Sequence, residues 1–234
     1  MLRTKKRLQF KEESEHLFTR SKKDIQSVID ENRNEFDRKT THNLICYELM
    51  TTRFTDETFE QYQRYRNNHQ IDGSLYNVAY YLRFNTIKLN VPMIVLEMNN
   101  TQNKLMGMGL VLNQFQDMNK HDIYTDTNYN RYTYQSNYYI SFKEDSPDWK
   151  YVPDLKIVRK VICALETVCF FGKTHIKRGT AFTRVPTKLV SKYEYYTIKK
   201  SLYEWFRIKY IDTCDDENNI IGKISWCHDD GFII

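Results

Sequence analysis

Pro92-Met93-Ile94-Val95-Leu96-Glu97-Met98, then Asn99-Asn100-Thr101-Gln102-Asn103-Lys104, then Leu105-Met106-Gly107-Met108-Gly109-Leu110-Val111-Leu112 reads as strand, polar turn and returning strand. Pro92 suits a strand start, where its missing N–H costs nothing. Gly107 and Gly109 alternate, so they share one face of the second strand. Two absent side chains on one face let a backbone, a helix or a ligand come close. A nucleotide-binding Gly-x-Gly loop does not fit, because the chain after it stays apolar and β-like and no helix opens there. Working outward, Asp72-Gly73 is a turn signal, and Ser74 to Leu89, rich in Tyr, Val, Leu and Phe, reads as an interrupted strand. On the other side, Asn128-Tyr129-Asn130 divides two β-type segments, and Tyr138 to Phe142 adds another strand. These segments predict an α+β protein with a small, mostly antiparallel β-barrel or curved sheet from about 74 to 145, flanked by helices.

The helices follow from caps and periodicity. Thr55 before Asp56 and Glu57 is an N-cap with acids in the first turn, opening a helix with Phe59, Tyr62, Tyr65 and Arg66 to about Asn68. Asp154 caps a second helix through Phe171, whose Leu155, Val158, Ile162, Leu165, Val168 and Cys169 form a core-facing stripe. Pro186-Thr187 opens a third, to about Ile211, with Leu189, Tyr193, Leu202, Phe206 and Tyr210 inward and lysines outward. Phe10 to Phe36 repeats its apolar residues near heptad spacing and reads as a long amphipathic helix able to pack on the domain or on a protein partner. Residues 42–50 are apolar and of no definite type. The expected organisation is a basic arm and helix over 1–40, an α+β domain over 41–211, and an acidic tail over 212–234 with a final strand near Ile220–Trp226.

The chain has 234 residues, 41% apolar and 15% aromatic, enough for a sizeable core. Its net charge of +5 is unevenly distributed. Arg3, Lys5, Lys6, Arg7 and Lys11 meet no acid before Glu12. Residues 172–210 are strongly basic, against Glu194 and Glu204 alone. Residues 211–234 reverse the sign. Clustered basic charge favours a polyanionic partner. The loop Gly172 to Pro186 holds Lys173, His175, Lys177, Arg178 and Arg184, with Gly179 allowing close backbone approach, and contains no acid. A basic loop held between two packed helices suits a nucleic-acid phosphate; the alternative is a solvated connection. The second candidate stretch is Asn128, Tyr129, Asn130, Arg131 and Tyr132, where aromatics interleave with Arg and Asn as in base stacking and base-edge hydrogen bonding. The alternative here is a half-buried sheet with a tyrosine-rich outer face. The 18 tyrosines as a class are equally explained by an AT-rich genome.

The five cysteines form no C-x-x-C pair; Cys163 and Cys169 read as core, and with no signal peptide the expected setting is intracellular and reducing. No apolar run approaches the roughly 20 residues a bilayer span needs, so no membrane partner is expected. There is no P-loop, H-E-x-x-H, paired-cysteine metal site or G-x-S-x-G, and no cofactor motif. His175 beside Lys177 and Arg178, with Glu97 or Asp126 on a metal, is the one arrangement that points to phosphoester chemistry, and the acids lack metal-site spacing.

Val95-Leu96-Glu97-Met98-Asn99-Asn100, Asn103 to Leu110, Asn128 to Tyr132 and His175 to Gly179 resemble an uncharacterised protein family of large DNA viruses. The strand–turn–strand with small residues also resembles the PUA-like barrels, the group of EVE, ASCH and YTH domains. Together these cover about residues 54–186. The first resemblance implies a viral origin, with the host cytoplasm, a viral factory or the virion as location; the second implies binding of RNA or a modified base in a barrel-edge pocket. The chain has no two- or three-Trp cage on the expected strands. The reading is therefore a non-catalytic nucleic-acid-binding protein. Lys177, Arg178 and Arg184 would meet phosphate and Tyr129, Arg131 and Tyr132 would meet bases, with Lys173, His175, Gly179, Asn128 and Asn130 as further residues of the nucleic-acid site. The alternatives are a virion assembly protein with a basic protein-binding face, and a nuclease-like enzyme.

Overall fold

The computed structural model describes residues 47–83, 86–115, 121–173, 175–178, 182–185 and 192–210. The basic arm, the helix expected over 10–36, the acidic tail and its final strand lie outside them.

The hairpin forms as its sequence predicts. Strand β3 (Pro92–Asn99) pairs antiparallel with β4 (Lys104–Leu112), and Asn103 closes the turn in the left-handed region, φ 56°. The register shifts at Glu97/Met98, so Met106 is the extra residue of a bulge. Strand β1 (Glu48–Phe54) lies on the other side of β3, parallel to it, so the central sheet is not confined to 74–145. The five-stranded order is β6-β4-β3-β1-β7, with β6 at Tyr139–Ser141 and β7 at Thr183–Arg184. A second sheet pairs β2 (Ser74–Val78) with β5 (Tyr132–Ser136). The protein is α+β, and among the described residues neither sheet closes into a barrel. The strand expected over Ser74 to Leu89 stops at Val78.

Three layers result. Helix α2 (Leu155–Phe170) and helix α3 (Lys192–Tyr210) cover one face of the large sheet, burying Leu49, Ile94, Leu96, Met108, Leu110 and Ile140 against Val158, Leu165, Leu202 and Trp205. The β2–β5 ribbon covers the other face through Tyr76, Val78 and Tyr134, which meet Met50, Met93, Val95 and Val111. Helix α1 (Asp56–Asn68) closes the end of that face with Phe59 and Tyr62. Its start is a reciprocal cap: Thr58 N–H donates to Thr55 Oγ1 at 3.2 Å, and Thr55 N–H donates to Thr58 Oγ1 at 2.9 Å. Asp154 Oδ1 caps α2 by accepting from Ile157 N–H at 2.9 Å.

Three packing expectations are corrected. Cys163 is exposed, because it falls outside the buried stripe that includes Cys169. Leu155, in the first turn of α2, is 44% exposed. Lys199 does not point outward: it is 4% exposed, its amine donates to the Tyr47 carbonyl and lies 4.2 Å from the Tyr47 ring centroid. A buried ammonium is tolerated there because a carbonyl and an aromatic face receive it.

Candidate nucleic-acid interface

The glycine face of β4 admits tyrosines from neighbouring elements. A Cβ on Gly107 would lie 2.6 Å from Tyr139 Oη, and one on Gly109 would lie 2.4 Å from Tyr76 Oη. Both rings reach toward Glu97, which projects from β3 beside them and is fully buried. Tyr62 donates to Glu97 Oε1 at 2.8 Å and Tyr139 to Oε2 at 2.9 Å. The Arg66 guanidinium lies 3.9 Å from the Tyr139 ring centroid. Burial pushes the Glu97 carboxyl above its ordinary value, and Arg66 and the tyrosine donors pull it partly back. Both carboxylate oxygens are thus engaged in the core. Asp126 caps a 3-10 turn (Thr127–Asn130) by accepting from Asn128 N–H at 3.0 Å. Neither acid stands in a metal site: among the described residues no group of three His, Cys, Asp or Glu side chains could hold a metal.

Outside this core lie several clefts, two of them at the end of the β2–β5 ribbon, where Tyr132 lines one and Val78, its register partner, lines the other. The first, about 500 Å³, is walled by Tyr80, Tyr81, Leu82, Arg83, Thr86, Tyr132 and Phe182. Tyr80 is 65% exposed and Tyr81 39%. The rings are held by one another: Tyr81 and Tyr132 meet edge-on at 5.2 Å, and Phe115 lies 5.1 Å from Tyr132. Tyr134 Oη accepts from Leu82 N–H at 3.0 Å, which fixes the chain just after Tyr81. Arg83 is exposed at the rim. Arg184 pairs with Glu48 at 3.0 Å and donates to the Thr86 carbonyl at 3.3 Å, so it braces the same wall. A cleft with several aromatic faces and an arginine rim is equipped to hold a planar, anionic chain.

The second cleft, about 220 Å³, is lined by Thr52, Arg53, Phe54, Thr55, Thr58, Asn77, Val78, Asn100, Tyr124 and Tyr129. Tyr129, 50% exposed, packs edge-on to Tyr124 at 6.2 Å. Asn100 sits in the hairpin turn, fixed by its N–H to the Phe54 carbonyl at 2.8 Å. Its Nδ2 donates to the Lys177 carbonyl at 3.0 Å, and Arg53 Nε donates to the Ile176 carbonyl at 2.6 Å. The basic loop is thereby clamped to the hairpin beside this cleft.

The structure divides the residues picked out in the sequence. Tyr132 and Arg184 come together at the first cleft. Tyr129 comes together with the Lys177 backbone, through Asn100, at the second. Arg178, Lys173 and His175 are exposed, with His175 Nδ1 beside the Gly172 carbonyl at 3.0 Å. The Lys177 amine is turned in toward Asn103 Oδ1, and burial lowers its pKa. Asn130 is buried: it accepts from Tyr124 N–H and Asn77 Nδ2 and donates to the Tyr124 carbonyl, so its amide holds the loop. Asn128 and Arg131 are exposed and bonded to each other at 2.8 Å. Gly179 lies outside the described residues. Sequence reasoning missed Tyr80, Tyr81, Arg83 and Phe182. The signal was Tyr80-Tyr81-Leu82-Arg83, absorbed into a strand that in fact ends before it. Family models, curated proteins and solved structures were compared with the chain, and none matches.

Proposed function

We propose that this protein binds single-stranded nucleic acid without catalysis, taking a base into the Tyr80–Tyr81–Tyr132 cleft and phosphate at Arg83. The observation that carries the reading is the aromatic cleft itself: two exposed tyrosines and a half-buried third, braced from behind, with an arginine at the mouth. Proteins keep such aromatic surface exposed where something covers it in use. Every base has a π-face, so stacking gives affinity without sequence demands, and the basic segments supply the electrostatic pull. The resemblance to a family of large DNA viruses extends the proposal to a viral setting, in the host cytoplasm or viral factory.

Tyr80→Ala removes a surface ring without touching the core. It is expected to cost roughly 1–3 kcal/mol of binding to a single-stranded oligonucleotide. Arg83→Ala is expected to weaken all sequences alike and to flatten the salt dependence by about one unit of slope. Fluorescence anisotropy with both variants checks this. Wild-type binding that neither substitution alters would move the partner off this cleft. Absence of oligonucleotide binding would leave the assembly reading in its place.

A further inference from the structure

A third cleft opens between α2, the start of β4 and the segment after β6. Its Leu105, Phe142, Trp149 and Ile162 belong to or pack against the core under α2 and α3, so it lies on the helix side of the large sheet. None of its residues lines either of the other two clefts. We infer that it binds a guanine nucleotide, with Glu166 accepting the N–H donors of the base, Trp149 covering its ring, and Arg159 and Lys104 meeting its phosphate. The volume is about 630 Å³, within the roughly 300–1,000 Å³ of ordinary ligand pockets. One wall is a stripe of α2, where Arg159, Ile162, Cys163 and Glu166 stand at i, i+3, i+4 and i+7.

Glu166 Oε1 accepts from Leu105 N–H at 2.9 Å, which fixes the carboxylate at the cleft wall. Oε2 takes no donor among the described residues and retains accessible surface there. Burial raises the pKa of the carboxyl, while the Leu105 N–H and Lys104 pull it partly back. A ligand that brings N–H donors favours the charged form and offsets the cost of burial. Guanine offers two adjacent donors on one edge, N1–H and the 2-amino group. Adenine and cytosine set a ring acceptor beside their amino group, and uracil flanks its N–H with carbonyls, so each turns an acceptor against the carboxylate. Lys143 and Glu144 offset each other in charge, and Lys104 with Arg159 outnumbers Glu166, so the cleft takes an anion as well. Among the described residues no ion pair engages Lys104 or Arg159. Arg159 and Glu166 are two helical turns apart, about 10 Å along the axis. The donor edge and the phosphate of a nucleotide likewise stand at opposite ends of the molecule. The Trp149 indole is preset, its N–H donating to the Lys143 carbonyl at 2.7 Å and Trp205 packing 5.0 Å away. The Arg159 guanidinium is 5.9 Å from the Trp149 ring centroid, so a base over that ring has its phosphate within reach of the arginine.

Isothermal titration of the full chain with GMP, AMP and guanosine tests this. Wild type is expected to bind GMP on the order of tenfold tighter than AMP, since the carboxylate pairs with one edge and opposes the other. Glu166→Gln keeps an oxygen for Leu105 N–H and is expected to erase that preference. Arg159→Ala, an exposed change, is expected to weaken GMP and AMP alike and to leave guanosine unchanged. Tyr80→Ala, in the first cleft, is expected to bind GMP as wild type does. GMP and AMP bound equally by wild type, a preference that survives Glu166→Gln, or loss of GMP binding in Tyr80→Ala overturns the assignment. So does absence of nucleotide binding. The reading of the first cleft stands apart from these outcomes, because it is tested with oligonucleotides. Competition then separates a free nucleotide from the guanine at the end of a strand. A strand beginning with 5′-phosphoguanosine that displaces GMP better than the same strand beginning with 5′-phosphoadenosine supports the strand end, and equal displacement supports the free nucleotide.

Discussion

At Glu97 the chain buries a carboxylate completely and surrounds it with Tyr62, Tyr76, Tyr139 and Arg66. Its raised pKa sets a sign. The folded state favours the neutral acid, so its contribution to stability is fully present below the ordinary carboxylate value. That contribution is lost as pH rises through the raised folded value. Glu97→Gln should therefore gain on wild type in urea midpoint as pH goes from about 4 to about 8, and a pH-independent difference would refute the sign. The three tyrosines are not equivalent. Tyr139 Oη donates to the carboxylate at 2.9 Å, whereas Tyr76 Oη is buried beside it without a hydrogen bond of good geometry and interacts with it more weakly. Tyr139→Phe should cost about 1–3 kcal/mol and Tyr76→Phe less, because the better-aligned hydrogen bond is the larger loss. Chemical denaturation of the pair reads the difference directly.

Among the elements, the β3–β4 hairpin sets the framework. Leu96 is fully buried between the sheet and the helices, and Leu96→Ala should lower stability by about 2–5 kcal/mol. Gly109→Ala would press a methyl against Tyr76 Oη and Ser74 Cβ, and Gly107→Ala against Tyr139 Oη and the Ile140 carbonyl. Each should cost roughly 1–3 kcal/mol, and Tyr76→Phe should recover part of the loss for Gly109→Ala alone. Thermal melts of the single and double variants settle this. The hairpin, both helix caps and the shared glycine face were legible in the sequence, since each rests on contacts a few residues apart. Strand β1 was not, because Glu48–Phe54 takes its strand identity from parallel pairing with β3 some forty residues on. Nor was the buried Lys199, whose partner Tyr47 lies 152 residues away in sequence. The basic loop and the tyrosine stretch were recognisable as polar and aromatic surface. Their division between two clefts was not, because the ribbon register decides it.

For the whole molecule, the layers explain where a ligand fits. Helices α2 and α3 cover one face of the large sheet, the ribbon and α1 cover the other, and the two aromatic clefts lie at the end of the ribbon, where Tyr132 lines one and Val78 the other. Among the described residues no helix is long and apolar enough to cross a membrane. The most direct test of the central claim is equilibrium binding of the full chain to a labelled ten-residue single strand over about 50 to about 300 mM salt, with the matching duplex as competitor. The account predicts a linear fall of log affinity with log salt, a single strand that outcompetes its duplex, and loss of that preference in Tyr80→Ala. A duplex bound as tightly as the single strand, with Tyr80→Ala indistinguishable from wild type, would contradict it.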